Sequence, residues 1–291
     1  MPPGNDSKPS ISVLMPVWNS EAFVGDAVRS ILAQSHKDFE FLVVDGGSTD
    51  NTLEKIRAFG DDRIRILHAP AGIVAALNLG LQEARGKWIA RQDADDISHP
   101  SRLRAQLSAV ERSRGVVLCH TNDELFGEVP RPYRRAKFTR TQALLALRLC
   151  FQCPVVHSSV LFSKKAVDEC GRYRGQQGED YDLWGRLLQT GKTLGLSKQL
   201  VMTRRHSDSA SQRHSDHLAL VSNEIALRHC REFMSLSEAD ALRAYSSLAM
   251  HGTKKGLSEW RWFVTTCLPR LRWKSAELYA WVFWQTLKAL V

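Results

Sequence analysis

The sequence lacks several features that would assign a protein class at once. Among its 291 residues, no uninterrupted apolar run approaches the roughly 20 residues of a membrane-spanning helix. The first ten residues lack a basic segment followed by an apolar one, so we expect a loose tail and not a signal peptide. We find no internal repeat and no long low-complexity tract. These absences favour a globular chain that is soluble or peripheral to a membrane.

Cysteine is also scarce. The six cysteines are widely spaced, which is unlike a disulfide framework and predicts a reducing compartment. Cys150 and Cys153 have the C-x-x-C spacing of a zinc site, but no second ligand pair follows at a suitable distance. We therefore expect these thiols to be small, buried packing residues.

Charge and apolar content are both ample. Lysine and arginine number 40 against 31 acidic residues, which gives a net charge of +9. The hydrophobic fraction of 43% excludes disorder as the main state of the chain. The positive charge favours a negative partner, which could be a phosphate group, a nucleic acid or an anionic membrane.

Short apolar strands alternate with amphipathic helices over the first 120 residues. We predict strands at 11–17, 41–44, 64–67, 87–91 and 116–120, and helices at 22–34, 50–59, 72–84 and 101–113. This alternation predicts an α/β fold with a mostly parallel sheet flanked by helices. Ligands of such sheets bind beyond the carboxyl ends of the strands, where the polar clusters 18–19, 45–48 and 93–96 all fall.

The acidic cluster of Asp93, Asp95 and Asp96 directly follows an apolar strand. Clustered carboxylates repel one another, so they need a neutralising partner, and Mg²⁺ or Mn²⁺ carrying phosphate oxygens fits oxygen ligands. The alternative is helix capping by Asp96 or Ser98, which explains one acid but not three. The glycine-rich turn at 45–50 fits a nucleotide or a plain turn, since it matches neither G-x-G-x-x-G nor a phosphate loop.

Two later segments also carry chemistry. Glu179, Asp180 and Asp182 precede an apolar helical stretch, where they either favour the helix dipole or supply a general base. Arg204 and His206 belong to a cationic segment that either closes on a diphosphate and a metal or is a solvated loop. A basic loop at 131–140 and a nearly all-helical stretch beyond 215 complete the chain.

Taken in order, these segments resemble family 2 glycosyltransferases of the GT-A fold, of the bacterial type that builds surface polysaccharides. ISVLMPVWNSEAFVGDAVRSILAQSHKDFEFLVVDGGSTDNT is similar to the family's nucleotide-binding opening. GKWIARQDADDISHPSRLRAQ is similar to the segment with the D-x-D motif, and GEDYDLWGRLLQTGK to the acceptor-side E-D motif. The resemblance runs from residue 11 to about residue 211.

The resemblance implies a role for each matching residue. Asp93 and Asp95 would be the D-x-D pair, with Asp95 the direct ligand of Mn²⁺ or Mg²⁺ on the diphosphate of a sugar nucleotide. Asp180 would be the catalytic base, and Arg204 and His206 would belong to the loop that closes over the donor. The pocket for the base and ribose would be lined by Pro16, Val17, Trp18, Asn19 and Asp45.

The resemblance also implies an activity and a division of the chain. We expect an inverting transferase that moves a sugar, with UDP as the expected carrier, to a glycan or lipid-linked glycan. Trp18 stands where the family often has tyrosine, and Gly46 replaces an acid that can contact the base. We divide the chain into a tail (1–10), a GT-A domain (11–214, with a nucleotide-binding half at 11–120 and an acceptor-side half at 121–214) and a helical extension (215–291).

Two other functions compete with transfer of a sugar. A nucleotidyltransferase would share the sheet and the acids, but it should carry a glycine- and lysine-rich loop where this chain has MPVWNSEAF. A catalytically silent scaffold of an assembly complex would not need Asp93, Asp95 and Asp180.

The helical extension raises the question of a partner. It holds five of the eight tryptophans, interleaved with arginine and lysine. This composition suits a helix packed on the catalytic domain or on another subunit, and it equally suits contact with an anionic membrane surface. We expect a cytoplasmic protein, with peripheral attachment to the inner membrane face and homo-oligomers as open alternatives. No nucleic-acid-binding module is recognisable, so we expect no nucleic acid partner.

Overall fold

The computed structural model describes residues 8–129, 133–135, 141–175, 177–207, 215–249, 257–272, 274–276 and 278–282. The basic loop predicted at 131–140 lies outside these residues, except for the backbone of a short strand. Trp273 and Trp284 of the helical extension also lie outside them.

A single nine-stranded sheet forms the centre of the described chain, in the order β3-β2-β1-β4-β8-β6-β9-β5, with β7 paired to β6. The first four strands in this order are parallel, as predicted, whereas β8 runs antiparallel to both of its neighbours. The strands are β1 (Ile11–Val17), β2 (Phe39–Asp45), β3 (Ile64–His68), β4 (Trp88–Arg91), β5 (Ile97–Ser98), β6 (Val116–Gly127), β7 (Tyr133–Arg135), β8 (Val160–Ser163) and β9 (Lys192–Arg205).

Helices cover both faces of this sheet, which confirms the α/β class. They are α1 (Val24–Leu32), α2 (Thr52–Arg57), α3 (Ile73–Glu83), α4 (Arg102–Glu111), α5 (Gln142–Leu149), α6 (Lys164–Glu169), α7 (Glu179–Thr190), α8 (Ser215–Met234), α9 (Glu238–Ala249) and α10 (Leu257–Trp262). Short helical turns follow at Phe263–Cys267 and Leu268–Arg270, and another precedes β8 at His157–Ser159.

The two faces of the sheet carry two separate hydrophobic clusters, because successive side chains of a strand point to opposite faces. Val13 and Met15 pack with residues of α1 and α4, whereas Leu14 packs with residues of α3. At Gly80 of α3, an added Cβ would lie 2.1 Å from Leu14 Cδ1. Glycine therefore allows α3 to approach the sheet closely.

A proline near the end of β1 marks where the functional crevice begins. Pro16 pairs in register with Val44 of β2, while the pairing of β1 with β4 ends at Leu14 and Arg91. Beyond Leu14, β1 pairs with β2 alone among the described strands, and the N–H position of Pro16 faces the side that β4 has left, so its missing N–H costs no ladder hydrogen bond. The chain after β4 is thus free to turn away and form the 93–96 turn.

The described helices after residue 215 pack on the core beside the sheet. Ile225, Phe233, Trp260 and Phe263 belong to the same buried cluster as Leu14. Trp260 is buried and Trp262 and Trp281 are half-buried, the latter stacked on Phe151. No helix among the described residues is long and apolar enough to cross a membrane.

The cysteines are free thiols. Cys150 is buried and its Sγ donates to the carbonyl of Ala146, as expected for a packing residue, whereas Cys153 is half-buried.

Candidate active site

Three loops meet at the carboxyl edge of the parallel strands. Residues 18–19 follow β1, Asp45 ends β2 and the 93–96 turn follows β4. The Gly46 N–H donates to the carbonyl of Val17 at 2.9 Å, and the Gln92 N–H donates to that of Leu14 at 3.0 Å. Since β1 lies between β2 and β4, it ties the other two loops to one place, as predicted from the sequence.

The loops after β1 and β2 are locked to each other by the backbone and side chain of Asn19. The backbone N–H of Asn19 donates to Ser48 Oγ at 3.0 Å, and its side-chain Oδ1 accepts from the Thr49 N–H at 2.8 Å. Asn19 has a φ of 45° and Gly47 a φ of 92°, both in the left-handed region that asparagine and glycine tolerate best. Each loop therefore holds the other in a shape that most residues disfavour.

Trp18 lies on the exposed side of these two loops. Its side chain is 58% exposed, while Pro16 and Val17 beneath it are buried. An aromatic ring held on a rigid strand end can stack on a flat ligand such as a nucleobase.

Asp45 is buried beside this ring surface and is held as a carboxylate. Its Oδ1 accepts from the Ser48 N–H at 3.0 Å, and its Oδ2 lies 3.5 Å from Nδ1 of the exposed His68. Burial alone would raise the pKa of Asp45, but hydrogen bonds from Ser48 and Gly47 outweigh it and hold the pKa below its ordinary value. Asp45 is therefore a fixed negative acceptor at the end of β2.

Both carboxylate oxygens of Asp93 are already engaged by protein groups. Oδ1 accepts from the guanidinium of Arg91 at 2.6 Å, and Oδ2 accepts from the Ser158 hydroxyl at 2.5 Å. Ser158 Oγ also accepts the Asp93 N–H at 2.9 Å. Burial would raise the pKa of Asp93, but the charge of Arg91 and the hydrogen bonds from Ser158 and Arg91 act together against it, and the pKa lies below its ordinary value. Asp93 is thus ionised and pinned in place.

Asp95 is the acid of this turn that contacts the imidazole of His206. Its Oδ2 lies 3.0 Å from Nε2 of His206, and its side chain is 29% exposed. Burial and the neighbouring charge of Asp93 raise the pKa of Asp95 above its ordinary value. The structure therefore brings together the predicted residues Asp95 and His206, and leaves a negative charge there in need of a cation.

Arg204 connects the end of β9 to the 93–96 turn. Its backbone N–H donates to Asp96 Oδ1 at 2.9 Å and its Nε donates to the Asp95 carbonyl at 3.0 Å. Its guanidinium lies between the rings of Phe23 and Phe126, at 4.7 and 4.5 Å from their centroids. Through these contacts, Arg204 fixes the backbone that carries Asp95 and His206.

Glu179 and Asp180 lie in the first turn of α7. Burial first, and then the charge of Asp93, raise the pKa of Asp180 to about 6. Burial and the charge of Asp180 raise the pKa of Glu179 to about 7. Because Asp93 and Arg91 act on both carboxyls, the acidic pair lies within electrostatic range of the 93–96 turn. A carboxyl poised near neutral pH suits a general base.

Four residues that the sequence reading did not single out complete the site. Arg91 and Ser158 hold Asp93, as described above. His157 is bonded to the hydroxyl of Tyr173 through Nε2 at 2.9 Å, and its Nδ1 lies 4.0 Å from Glu179 Oε1. Burial and the charge of Arg91 place the pKa of His157 well below its ordinary value, so it is neutral.

One of these four could have been found from the sequence. A buried strand residue that carries charge needs a partner, and Arg91 stands two residues before Asp93. The others carry no motif, and Ser158 meets Asp93 across 65 residues of chain.

The geometry at Asp95 and His206 fits two adjacent ligands of a metal. Adjacent ligands of an octahedral Mg²⁺ or Mn²⁺ at about 2.1 Å are about 3 Å apart, and these two atoms are 3.0 Å apart. Among the residues that the structure describes, no group of three or more His, Cys, Asp or Glu side chains is arranged to hold a metal. A cation here would thus need further oxygens from a ligand, such as a diphosphate.

Comparison with known proteins gives consistent matches. The family described as Glycosyl transferase family 2 matches residues 12–171. The putative glycosyltransferase EpsE of Bacillus subtilis is 31% identical over 229 residues, covering 72% of this chain and 77% of that protein. The O-antigen biosynthesis glycosyltransferase WbnJ of Escherichia coli is 29% identical over 238 residues, covering 77% and 89%. Three rickettsial relatives are matched over about a third of their own length or less.

Solved structures share the fold. TarS of S. aureus in complex with UDP-GlcNAc superposes with a TM-score of 0.64 at 16% identity, covering 97% of this chain and 79% of that one. The mannosyltransferase PcManGT of Pyrobaculum calidifontis, in complex with GDP-Man and Mn²⁺, gives a TM-score of 0.61 at 13% identity, covering 98% and 82%. These similarities confirm the predicted GT-A architecture.

Proposed function

The chain belongs to glycosyl transferase family 2 and is a glycosyltransferase, and from that premise we propose its reaction. It transfers a sugar from a nucleotide-diphosphate sugar to a hydroxyl of a glycan or lipid-linked glycan, with inversion and with a divalent cation. The similarity to an O-antigen transferase supports a role in cell-surface polysaccharide synthesis. The observation that supports the proposal is that Trp18, Asp45 and Asp95 stand at the carboxyl ends of β1, β2 and β4, with Asp180 within electrostatic range of Asp93.

The donor's nucleoside would occupy the crevice beyond β1 and β2. Trp18 would stack on the base above the buried Pro16 and Val17, while Asp45 would accept a hydrogen bond from the base or ribose. Asn19 would hold the two loops in shape. UDP is the carrier that we propose, and TarS, a protein of the same fold, binds UDP-GlcNAc.

The donor's diphosphate would lie over the 93–96 turn. Asp95 Oδ2 and His206 Nε2 would hold Mn²⁺ or Mg²⁺, which would supply charge neutralisation of the leaving diphosphate. Asp93 completes the D-x-D pair, and with both oxygens bonded it would act by fixing the turn and adding negative charge. The fold neighbour PcManGT binds Mn²⁺ with its donor, which supports this choice of ion.

The acceptor hydroxyl would approach from the side of α7. Asp180 would take its proton as the hydroxyl oxygen attacks the anomeric carbon from the face opposite the diphosphate. One such displacement inverts the anomeric configuration, and its transition state is expected to resemble an oxocarbenium ion. Arg204 would keep the 93–96 turn in place throughout, because it bonds the backbone or side chain of both Asp95 and Asp96.

The cellular setting is also part of the proposal. We propose a cytoplasmic enzyme, which the free thiols support, working at the inner face of the membrane where lipid-linked acceptors lie. Arg261 and Arg270 of the helical extension are exposed and could meet anionic lipid. The interface of a homo-oligomer is an alternative use of the same surface.

A panel of sugar nucleotides tests the proposal. We expect at least one to bind and to be slowly hydrolysed only when Mn²⁺ or Mg²⁺ is present. Binding without hydrolysis or transfer would favour the silent scaffold. Consumption of a nucleoside triphosphate, with no turnover of any sugar nucleotide, would contradict the proposal in favour of a nucleotidyltransferase.

A further inference from the structure

The helix that carries Asp180 is braced by α8, which lies beyond the region matched by the family. The two helices approach closely at Gly185 of α7, where an added Cβ would lie 2.0 Å from Nε2 of His229. Only a residue without a side chain fits there, so the imidazole of α8 rests directly on the backbone of α7.

His229 is held in a single orientation. Its Nδ1 lies 2.9 Å from the carbonyl oxygen of Leu149, and because a carbonyl only accepts, Nδ1 carries the proton. The hydroxyl of Tyr181 donates to the same carbonyl at 2.7 Å. Tyr181 is the neighbour of Asp180, so one carbonyl of α5 anchors both α8 and the first turn of α7. The ring of His229 also stacks on Phe233, with centroids 5.0 Å apart.

Charge ties α8 to the first turn of α7 a second time. Asp182 accepts from Arg228 of α8 through Oδ1 and from Arg186 through Oδ2, the latter at 2.6 Å. Arg186 in turn donates to the carbonyls of Cys170 and Arg172, each at 2.7 Å. Asp182 thus joins α7, α8 and the loop after α6.

The start of α7 is closed off by α8 as well. Gly178 precedes the helix with a φ of 67°, and an added Cβ would lie 2.8 Å from Cδ1 of Ile225. Ile225, Arg228 and His229 span more than one turn of α8 and contact α7 at its start, first turn and middle.

We infer that α8 is a positioning element of the transferase, with His229 as the positioning residue that fixes α7 and thereby sets where Asp180 meets the acceptor. This inference rests on the proposed role of Asp180 as the base. The donor crevice is built from the ends of β1, β2 and β4, so the brace should govern the chemical step and leave donor binding unchanged.

Gly185→Ala tests the brace, because its methyl group must push α8 away from α7. We expect kcat to fall by about 10-fold or more while the donor's dissociation constant changes by less than about twofold. Gly25→Ala in α1 is the matched control, since an added Cβ there meets nothing within 4 Å. We expect it to leave kcat unchanged.

Hydrogen exchange of the α7 amides provides a readout that does not depend on activity. It should be faster in Gly185→Ala than in the wild type or Gly25→Ala, so the brace can be judged even if no donor is found. Faster exchange with normal kcat would overturn the positioning inference while leaving the proposed function intact. Unchanged exchange, or equal losses of donor affinity and kcat, would overturn it too.

Arg228→Met keeps the test decisive if Gly185→Ala does not fold. Arg228 is half exposed, so its loss removes the ion pair with Asp182 at little cost to the core. We expect a smaller fall in kcat, with Arg228→Lys restoring part of it. Equal kcat in Arg228→Met and the wild type would contradict the inference.

Discussion

Asp93 and Asp95 of the 93–96 turn have different surroundings, and this difference indicates a different role for each. Arg91 and Ser158 bond both carboxylate oxygens of Asp93, whereas Oδ2 of Asp95 contacts His206 among the residues that the structure describes. A cation gains most from the acid whose charge is less compensated. The spacing of D-x-D in the sequence predicts the pair, but it cannot distinguish the two roles, because Ser158 arrives from a distant part of the chain.

Asp95→Ala should strongly weaken metal-dependent binding of the donor. We expect donor affinity in Mn²⁺ to fall by roughly 10- to 100-fold, in the range seen when a ligand or its support is lost. Asp62→Ala, at an exposed acid away from the site, is the control. Titration calorimetry with and without Mn²⁺ measures the effect, and unchanged donor affinity in the presence of the metal would remove Asp95 from the metal site.

The raised pKa of Asp180 predicts opposite pH trends for activity and stability. Burial and the charge of Asp93 raise it to about 6, so below that pH the base is protonated and kcat/KM should fall by about tenfold per pH unit. The same carboxyl stabilises the folded state when protonated. That contribution is complete below the unfolded pKa and is lost as the pH rises through about 6.

A pH–rate profile and urea denaturation between pH 4 and 7 measure the two trends. Asp180→Asn should reduce the fall in stability over this range, with Glu179 contributing the remainder in the same direction. An acid limb of kcat/KM near pH 4 would show that the base is not the perturbed carboxyl.

At the scale of elements, the strands and helices of the first half were predictable because their patterns are local. The predicted strand at 11–17 matches β1, and the predicted helix at 72–84 differs from α3 by one residue at each end. The strand predicted at 116–120 instead continues to Gly127, because β6 pairs along its length with β9. That pairing joins residues about 80 apart in sequence, so no local pattern reveals where β6 ends.

The turn after β2 depends on one glycine more than on its neighbour. Gly47 has a φ of 92°, whereas an added Cβ at Gly46 would make only an ordinary contact of 3.7 Å with the Val17 carbonyl. Gly47→Ala should therefore lower the free energy of unfolding by about 1–2 kcal/mol and weaken donor binding by disturbing the Ser48–Asp45 bond. Gly46→Ala is the control for stability. Urea denaturation of both variants measures the difference, and equal free energies of unfolding would show that alanine at position 47 is not strained.

At the scale of the whole molecule, the described helices after residue 215 share one core with the sheet. Trp260 and Phe263 lie in the cluster that contains Leu14. This part of the extension therefore packs on the catalytic domain, which is one of the alternatives that the sequence left open. The sequence could not decide between that packing and a membrane, because tryptophan next to arginine suits both. The proposed contact with anionic lipid therefore depends on the exposed cations more than on the described tryptophans.

The full chain provides the test of membrane contact. We expect it to co-sediment with anionic vesicles but not with neutral ones, and the double variant Arg261→Glu with Arg270→Glu to lose this binding. Arg57→Glu with Arg112→Glu changes the net charge equally at exposed sites elsewhere and should still bind. Equal binding by both double variants would show that the helical extension is not the membrane surface.

The central claim is that a base on α7 acts on an acceptor beside a donor held at the strand ends. Asp180→Asn, assayed for transfer with the donor identified from the panel, tests it most directly because the amide keeps the shape of the carboxyl but cannot take a proton. We expect turnover to fall by about 10²- to 10⁴-fold while the donor's dissociation constant in Mn²⁺ is unchanged. Turnover near that of the wild type would contradict it.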